Sequence, residues 1–537
     1  MAERYEADVV IVGAGIAGAL IGYRLASLGV GVLILDSGPW VDRADAVQAF
    51  QAAVQKTPDA PYPQQKYAPR PRVSDVGAYY VQEGPKPFRS TYERLVGGTT
   101  WHWQGTALRH LPNDFRIKTL YGVGEDWPIS YEQLEPWYLE AENEIGVAGD
   151  SLNDLGSPRS DSFPMGPIPA SYLDKQIDTA LRPHGLRTQV VPHARNSEPF
   201  HGRPPCCGNN TCVPICPIQA KYDASVHVKK ARGAGAQIVD RAVAFKVSAP
   251  SSGLIDGIYF KRDGLEQMAK GRVFVIAAHA IETPKLLLMS RTGQHPNGIA
   301  NSSDQVGRNL MDHPTQISLC LARDPVYPFR GPTEISGIEH MRDGSFRNDT
   351  AAFRMPIGNN GWEFGAGPPT TLVSNDIQDG YRGEMLKERL RARTIRQVRL
   401  AALIEQLPDA NNRVSLSEQM DALGLPRPRI EYAYDDYVLR GQEEARKLAR
   451  LVFSALGATY QRHLPDLFGA GHIIGTCRMG DDPRTSVADA DGRTHDHPNL
   501  FLAGSSLFPT AATANPTLTI AALALRSAKA ISEELKG

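Results

Sequence analysis

The sequence predicts an α/β fold with a Rossmann-like domain, and three observations carry that expectation. A β-branched run ending at Val12 meets a glycine-rich turn, a helical stretch follows, and "VGVLILD" closes the unit as a second apolar run. Near the far end, "NLFLAG" and "NPTLTIAALALRSAKAISEELKG" place another apolar run before a long helical stretch. The chain has 537 residues, more than one ordinary domain holds, so at least one further domain is expected.

The helix after the first strand is expected over about 16–28, with Ile16, Leu20, Tyr23 and Leu28 near helical spacing. Between strand and helix stands G-x-G-x-x-G, as Gly13, Gly15 and Gly18, and Asp36 ends the second strand. Gly13 permits the tight turn, Gly15 lets the backbone approach a pyrophosphate, and Gly18 lets helix and strand pack closely. The helix N-terminus offers free N–H groups and the positive end of its dipole to phosphates. Asp36 is placed for ribose hydroxyls rather than a 2′-phosphate. An NAD enzyme needs little more than one such unit, so the second strand–helix piece at the C-terminus points to FAD.

That terminal helix is expected to start at Pro516, with Asn515 as its N-cap. A helix N-terminus aimed at a flavin stabilises the negative charge of the reduced ring. Upstream, "GHIIGTCRMG" sets His472 in a glycine-flanked run.

Composition excludes some classes. With 42% hydrophobic and 22% charged residues the chain can bury a substantial core. A net charge of −1 and the lack of a basic run argue against a nucleic-acid partner. No apolar run reaches the roughly 18–20 residues of a membrane span, so none is expected. "MAERYEADVVIVGAG" lacks the apolar core of a signal peptide, so the chain is expected to carry no export address of its own. Its 40 prolines and 49 glycines, many within 55–130 and 324–370, predict long ordered loops.

Four of the six cysteines, Cys206, Cys207, Cys212 and Cys216, fall within "CCGNNTCVPIC". A disulfide between the adjacent pair is strained. Zinc sites favour paired C-x2-C units, and redox dithiols favour C-x-x-C. An iron–sulfur cluster fits the spacing better, and Cys216-Pro217 has the closing Cys-Pro of ferredoxin-type runs.

"VGGTTWHW" (96–103), "AAHAIETPKLLLMS" (277–290), "VGRNLMDHP" (306–314), "GTCRMG" and "NLFLAGSS…NPTLT" together resemble the glucose–methanol–choline (GMC) oxidoreductases. The resemblance implies an FAD-dependent enzyme that oxidises an alcohol by hydride transfer to flavin N5. It implies a discontinuous FAD-binding domain from residues 1–50, 88–120, 205–325 and 465–537. A substrate-binding α+β domain with an antiparallel sheet would come from 51–87, 121–204 and 326–464. His472 matches the family's base and Asn515 its partner. Gly97, Gly98, Thr99, Gly504, Pro516 and Thr517 match flavin contacts, and Val243 matches a position on the adenine side. His102 stands where some related sugar oxidases link flavin covalently, with packing between Trp101 and Trp103 as the alternative. His279 and His313 are expected to make structural hydrogen bonds.

The cysteine segment, with "LPNDFRIKTLYGVGEDWPISYEQLEPWY", is similar to the large subunits of bacterial FAD-dependent glucose, fructose and sorbitol dehydrogenases. That similarity implies a [3Fe–4S] cluster on Cys206, Cys212 and Cys216, with Cys207 as a further candidate ligand. It implies oxidation of a secondary or hemiacetal hydroxyl of a sugar or polyol, with electrons leaving to a cytochrome c and quinone. It also implies a small chaperone-like subunit, a multihaem cytochrome c subunit, and a place at the periplasmic face of the inner membrane. A cytoplasmic enzyme is the alternative for location. A glucoside 3-dehydrogenase, an O2-using sugar oxidase and a non-catalytic flavin electron-transfer subunit are the alternatives for function.

Overall fold

The computed structural model describes residues 5–54, 56–250, 253–362 and 369–536. The expected outer limits of the FAD domain, residues 1 and 537, lie outside them. A five-stranded sheet holds the strands in the order Leu500–Leu502, Val273–Ile276, Val9–Val12, Val32–Leu35 and Gln237–Val239. All of its pairs are parallel. Its central strands are buried along their whole length, which is why they read as unbroken apolar runs rather than as alternation. The strand Leu500–Leu502 lies beside Val273–Ile276, so the C-terminal piece completes the sheet that the N-terminus begins.

The helix Ile16–Ser27 lies close against this sheet because two of its residues lack side chains. A Cβ on Gly18 would stand 2.0 Å from the Gly13 carbonyl oxygen, and one on Gly22 would stand 2.6 Å from Ile34 Cδ1. The same core takes the alanine-rich face of the helix Thr517–Glu534 and the apolar face of Tyr131–Ile145. Tyr138 and Thr519 share a hydroxyl hydrogen bond of 2.8 Å between these two helices.

A six-stranded antiparallel sheet forms the second layer, in the order Tyr460–His463, Thr315–Leu321, Gln397–Ile404, Phe353–Gly358, Ser336–Ile338 and Gln189–Val190. The helices Tyr172–Leu181 and Asp436–Ala455 cover it with Leu173, Ile177, Leu448, Val452 and Phe453. The α/β unit beside an α+β unit with an antiparallel sheet is the expected fold class.

The partition differs from expectation in two places. Thr315–Leu321, expected in the FAD span 205–325, pairs with Gln397–Ile404 because its residues match that strand over seven positions. Tyr131–Ile145, expected in the substrate span 121–204, gives Tyr131, Leu134, Tyr138 and Ile145 to the core of the parallel sheet. The loop-rich span 55–130, whose first residue lies outside the described residues, buries Tyr62, Tyr79, Tyr80, Phe88 and Tyr92. The span 324–370, expected as loop, includes two strands of the antiparallel sheet and is partly outside the described residues.

Arg347 clamps segments far apart in the chain. Its side chain is fully buried and pairs with Asp114 at 2.9 Å, Glu405 at 2.5 Å and Asp343 at 3.1 Å. Removing the cation would strand two buried carboxylates, and breaking a buried pair in this way costs about 3–5 kcal/mol. Arg347→Ala is therefore expected to lower the denaturant midpoint of the purified protein sharply. A midpoint within error of the native protein would show that the clamp contributes nothing.

Candidate functional site

The two layers enclose a cavity of about 900 Å³. Asp36, Val243, the glycine turn, the start of Ile16–Ser27, His472 and Asn515 all line its wall. Several features suit an extended dinucleotide. The helix Ile16–Ser27 has no side chain capping its N-terminus and no acid in its first turn, so its N–H groups are free for phosphate. A Cβ on Gly15 would meet open space, while one on Gly98 would stand 3.1 Å from Gly15 Cα. Gly13 has φ +103 and its absent Cβ would strike the Ala277 carbonyl, so only glycine serves there. Asp36 Oδ2 accepts from Ala14 N at 2.7 Å and Oδ1 from Gly38 N at 2.8 Å, and each oxygen keeps a further acceptor site for hydroxyls. Burial raises the Asp36 carboxyl above its ordinary value, against these N–H bonds.

Of the residues expected at the cofactor, Gly13, Gly15, Asp36, Gly98, Thr99, His102, Val243, Gly504, Pro516 and Thr517 line the cavity. Gly18 serves packing instead, and Gly97 shapes the turn at φ +101. The His102 ring stands 3.4 Å from Glu93 Oε1 and packs beside Tyr62. Trp101 packs against Arg43, and Trp103 donates to the Tyr222 carbonyl.

The terminal helix begins at Thr517, with Pro516 as its cap residue and no capping side chain. Asn515 therefore does not cap it. Its Nδ2 lies 3.2 Å from His472 Nε2, and its Oδ1 accepts from Arg354 Nη1 at 2.8 Å. A guanidinium only donates, so the amide oxygen must face Arg354 and the NH2 must face His472.

The same reasoning settles the protons of the histidines. His313 Nε2 lies 2.9 Å from the Ala512 carbonyl, which only accepts, so Nε2 of His313 carries its proton. Its Nδ1 then accepts from His472 Nδ1–H at 2.8 Å. The lone pair of His472 is left on Nε2, beside Asn515. Burial, then the charges of His313 and Arg354, hold His472 well below its ordinary 6.5. Burial lowers His313 to about 4, so both rings are neutral near pH 7. Asp312 anchors the pair, accepting from the backbone N–H of His472 at 3.0 Å and of His313 at 2.7 Å. An alcohol oxygen held between Asn515 and His472 Nε2 would meet one donor and one acceptor, which is the arrangement that removes a hydroxyl proton.

His313 thus makes the hydrogen bonds expected of it, but to the histidine at the centre of the site. Arg354 gave a weaker signal: a cation in the strand Phe353–Gly358, whose six residues are all buried. His279 stacks on Tyr92 at 4.3 Å.

All six cysteines are free thiols. Cys206, Cys207, Cys212 and Cys216 line one small pocket together with Arg195. Among the described residues no group of three or more His, Cys, Asp or Glu forms a ready metal site. The surroundings nonetheless suit thiolate ligands of a cluster. Arg195 is buried and donates to the Glu334 and Gln104 carbonyls, with Nε unpaired. Lys221 is buried and donates to the carbonyls of Trp101, Trp103 and Cys212. Two buried cations held by carbonyls alone call for negative charge nearby. Burial pushes the Cys212 thiol up, yet Arg195, Thr333 and Lys221 outweigh it and bring the group below its ordinary value. Burial raises Cys206. The segment 101–104 separates this pocket from the large cavity: His102, Trp103 and Gln104 line the cavity, and their backbone holds the cations behind.

Descriptions of GMC oxidoreductases match residues 128–315 and 408–524 of the chain. The chain is 40% identical to the fructose dehydrogenase large subunit of Gluconobacter japonicus, over 99% of each protein. It is 28% identical to 2-methyl-1,2-propanediol dehydrogenase of Mycolicibacterium austroafricanum, over 98% of this chain and 95% of that one. Among solved structures, pyridoxine 4-oxidase from Mesorbium loti superposes with a TM-score of 0.70 at 19% identity, covering 98% of this chain and 99% of that one, and shares the fold. With the fold, the cavity and the His472–Asn515 pair, these likenesses place the chain in the GMC oxidoreductase family, as an FAD-dependent oxidoreductase acting on CH–OH donors.

Proposed function

We propose that the protein is a sugar or polyol dehydrogenase that oxidises a secondary or hemiacetal hydroxyl and delivers electrons through a [3Fe–4S] cluster to an acceptor outside the chain. One observation carries the chemistry: a neutral imidazole whose lone pair is fixed on Nε2, beside an amide N–H, in the wall of the cofactor cavity. Likeness to a fructose dehydrogenase supports the substrate class. So does the cavity wall, which combines the apolar Ile317, Pro356 and Leu403 with the polar Gln104, Glu334 and Arg399. A compact polyhydroxylated molecule has C–H faces for the first set and hydroxyls for the second.

The residues divide the work. His472 Nε2 takes the hydroxyl proton while Asn515 Nδ2 holds the same oxygen. The proton stays on Nε2, because Nδ1–H already donates to His313, and the imidazolium that forms is supported by that bond. Flavin, bound against Gly98, Thr99, His102 and the start of the terminal helix, would supply the hydride acceptor at N5. Cys206, Cys212 and Cys216 would hold the cluster, with Cys207 outermost, and a cluster supplies one-electron transfer that an oxidase does not need. A relative named a large subunit supports partner subunits, here a small subunit and a multihaem cytochrome c at the periplasmic face of the inner membrane.

A dye-reduction screen of sugars, polyols and glycosides, with O2 uptake followed in parallel, tests the reading. Turnover with dye and little O2 uptake is expected; efficient O2 reduction would favour an oxidase. His472→Ala is expected to lower kcat by about 10²–10⁴-fold with FAD still bound. Because burial keeps the base neutral, kcat/KM should be level between pH 8 and 6.5, with the acid limb of this group below its ordinary 6.5. A limb centred at or above 6.5 would place the base elsewhere.

Protein purified anaerobically should contain iron and sulfide. Cys206→Ser, Cys212→Ser and Cys216→Ser should each lose them, whereas Cys207→Ser should keep both. Flavin without iron in the native protein would remove the cluster from the scheme.

A further inference from the structure

The catalytic amide is tied to a carboxylate of the cavity wall through one guanidinium. Arg354 is fully buried, and its Nη1 donates to Asn515 Oδ1 at 2.8 Å while its Nη2 donates to Glu334 Oε1 at 3.2 Å. Two nitrogens of one planar group therefore set the amide and the carboxylate at a fixed separation. Arg354 is itself held from behind, by Glu339 at 3.2 Å, and Arg342 stands 3.8 Å from the same Glu339. Two cations and two anions alternate along this chain.

Glu334 is the member that faces the cavity. It lines the cavity, whereas Arg354, Glu339 and Arg342 do not, and Thr106 Oγ1 donates to the same Oε1 at 3.1 Å. With Oε1 occupied twice, Oε2 is the acceptor left toward the cavity.

We propose that Glu334 is a specificity determinant that accepts a hydrogen bond from a second substrate hydroxyl, close to the carbon being oxidised. Arg354 is the positioning residue that holds this acceptor in register with Asn515. The inference rests on the sugar or polyol reading above and narrows it to substrates with a hydroxyl neighbouring the oxidised carbon.

The test uses full-length, flavin-loaded protein, the sugar or polyol with the highest kcat/KM in dye reduction, and its monodeoxy analogues. Glu334→Gln keeps the shape and leaves Arg354 paired with Glu339. Losing a hydrogen bond to a charged acceptor should raise KM by about tenfold or more, with kcat within about threefold. One deoxy analogue that the native enzyme handles poorly should no longer be distinguished from its parent by the variant. An unchanged KM, or a deoxy penalty that survives in Glu334→Gln, overturns the subsite. Arg354→Lys cannot bridge both partners and should lower kcat at least tenfold, and the double variant with Asn515→Ala should be no slower than Asn515→Ala alone. Additive losses would mean that Arg354 does not act through the amide. No turnover of any sugar or polyol overturns the functional reading and the subsite together, whereas turnover with every deoxy analogue equal to its parent overturns the subsite alone.

Discussion

The proton on His313 Nε2, held to the Ala512 carbonyl, is the constraint from which the rest of the site follows. It makes Nδ1 of His313 an acceptor, sends the His472 proton to Nδ1, and leaves the reactive lone pair on Nε2. Arg354 imposes the matching order on Asn515 by occupying its oxygen. Neither the base nor the amide can turn over without leaving a buried group unpaired, and such a group costs about 1–3 kcal/mol. The site is therefore set before substrate arrives, which is how hydrogen bonds become useful to a transition state rather than being spent on reorganisation.

Charge is placed by the same logic on both sides of the segment 101–104. Toward the cavity, burial above all keeps His472 neutral, Arg354 adds to it, and that arginine is answered by Glu334 and Glu339. Behind it, Arg195 and Lys221 meet carbonyls and thiols rather than carboxylates. Arg195 bonds the Glu334 carbonyl, so the substrate wall and the thiol pocket share one stretch of backbone. A cationic environment lowers the cost of collecting thiolates, and it stands within one layer of chain of the cofactor cavity.

Much of this was legible locally. The glycines at 13 and 18 announce close backbone approach, and a Cβ at either would strike a carbonyl, that of Ala277 or of Gly13. The segment Tyr131–Ile145 was expected in the substrate span, because an apolar helical stripe specifies that it will be buried and not which of two cores receives it. Asn515 read as a cap from its place before Pro516, and the cap role lost to two long-range bonds that no local pattern encodes.

The resemblance to the family pointed to His472 and Asn515, while the spacing of residues by itself determined the dinucleotide unit, the return of the chain at its C-terminus and the gathering of four thiols. These depend on residues a few positions apart, where spacing alone dictates which groups meet. The tertiary structure decided which nitrogen of His472 is free, which way the Asn515 amide points, and which cations stand behind the cysteines. Those outcomes depend on pairs such as Arg354 and Asn515, 161 positions apart, whose meeting is set only when the antiparallel sheet closes over the parallel one and every buried donor must find an acceptor.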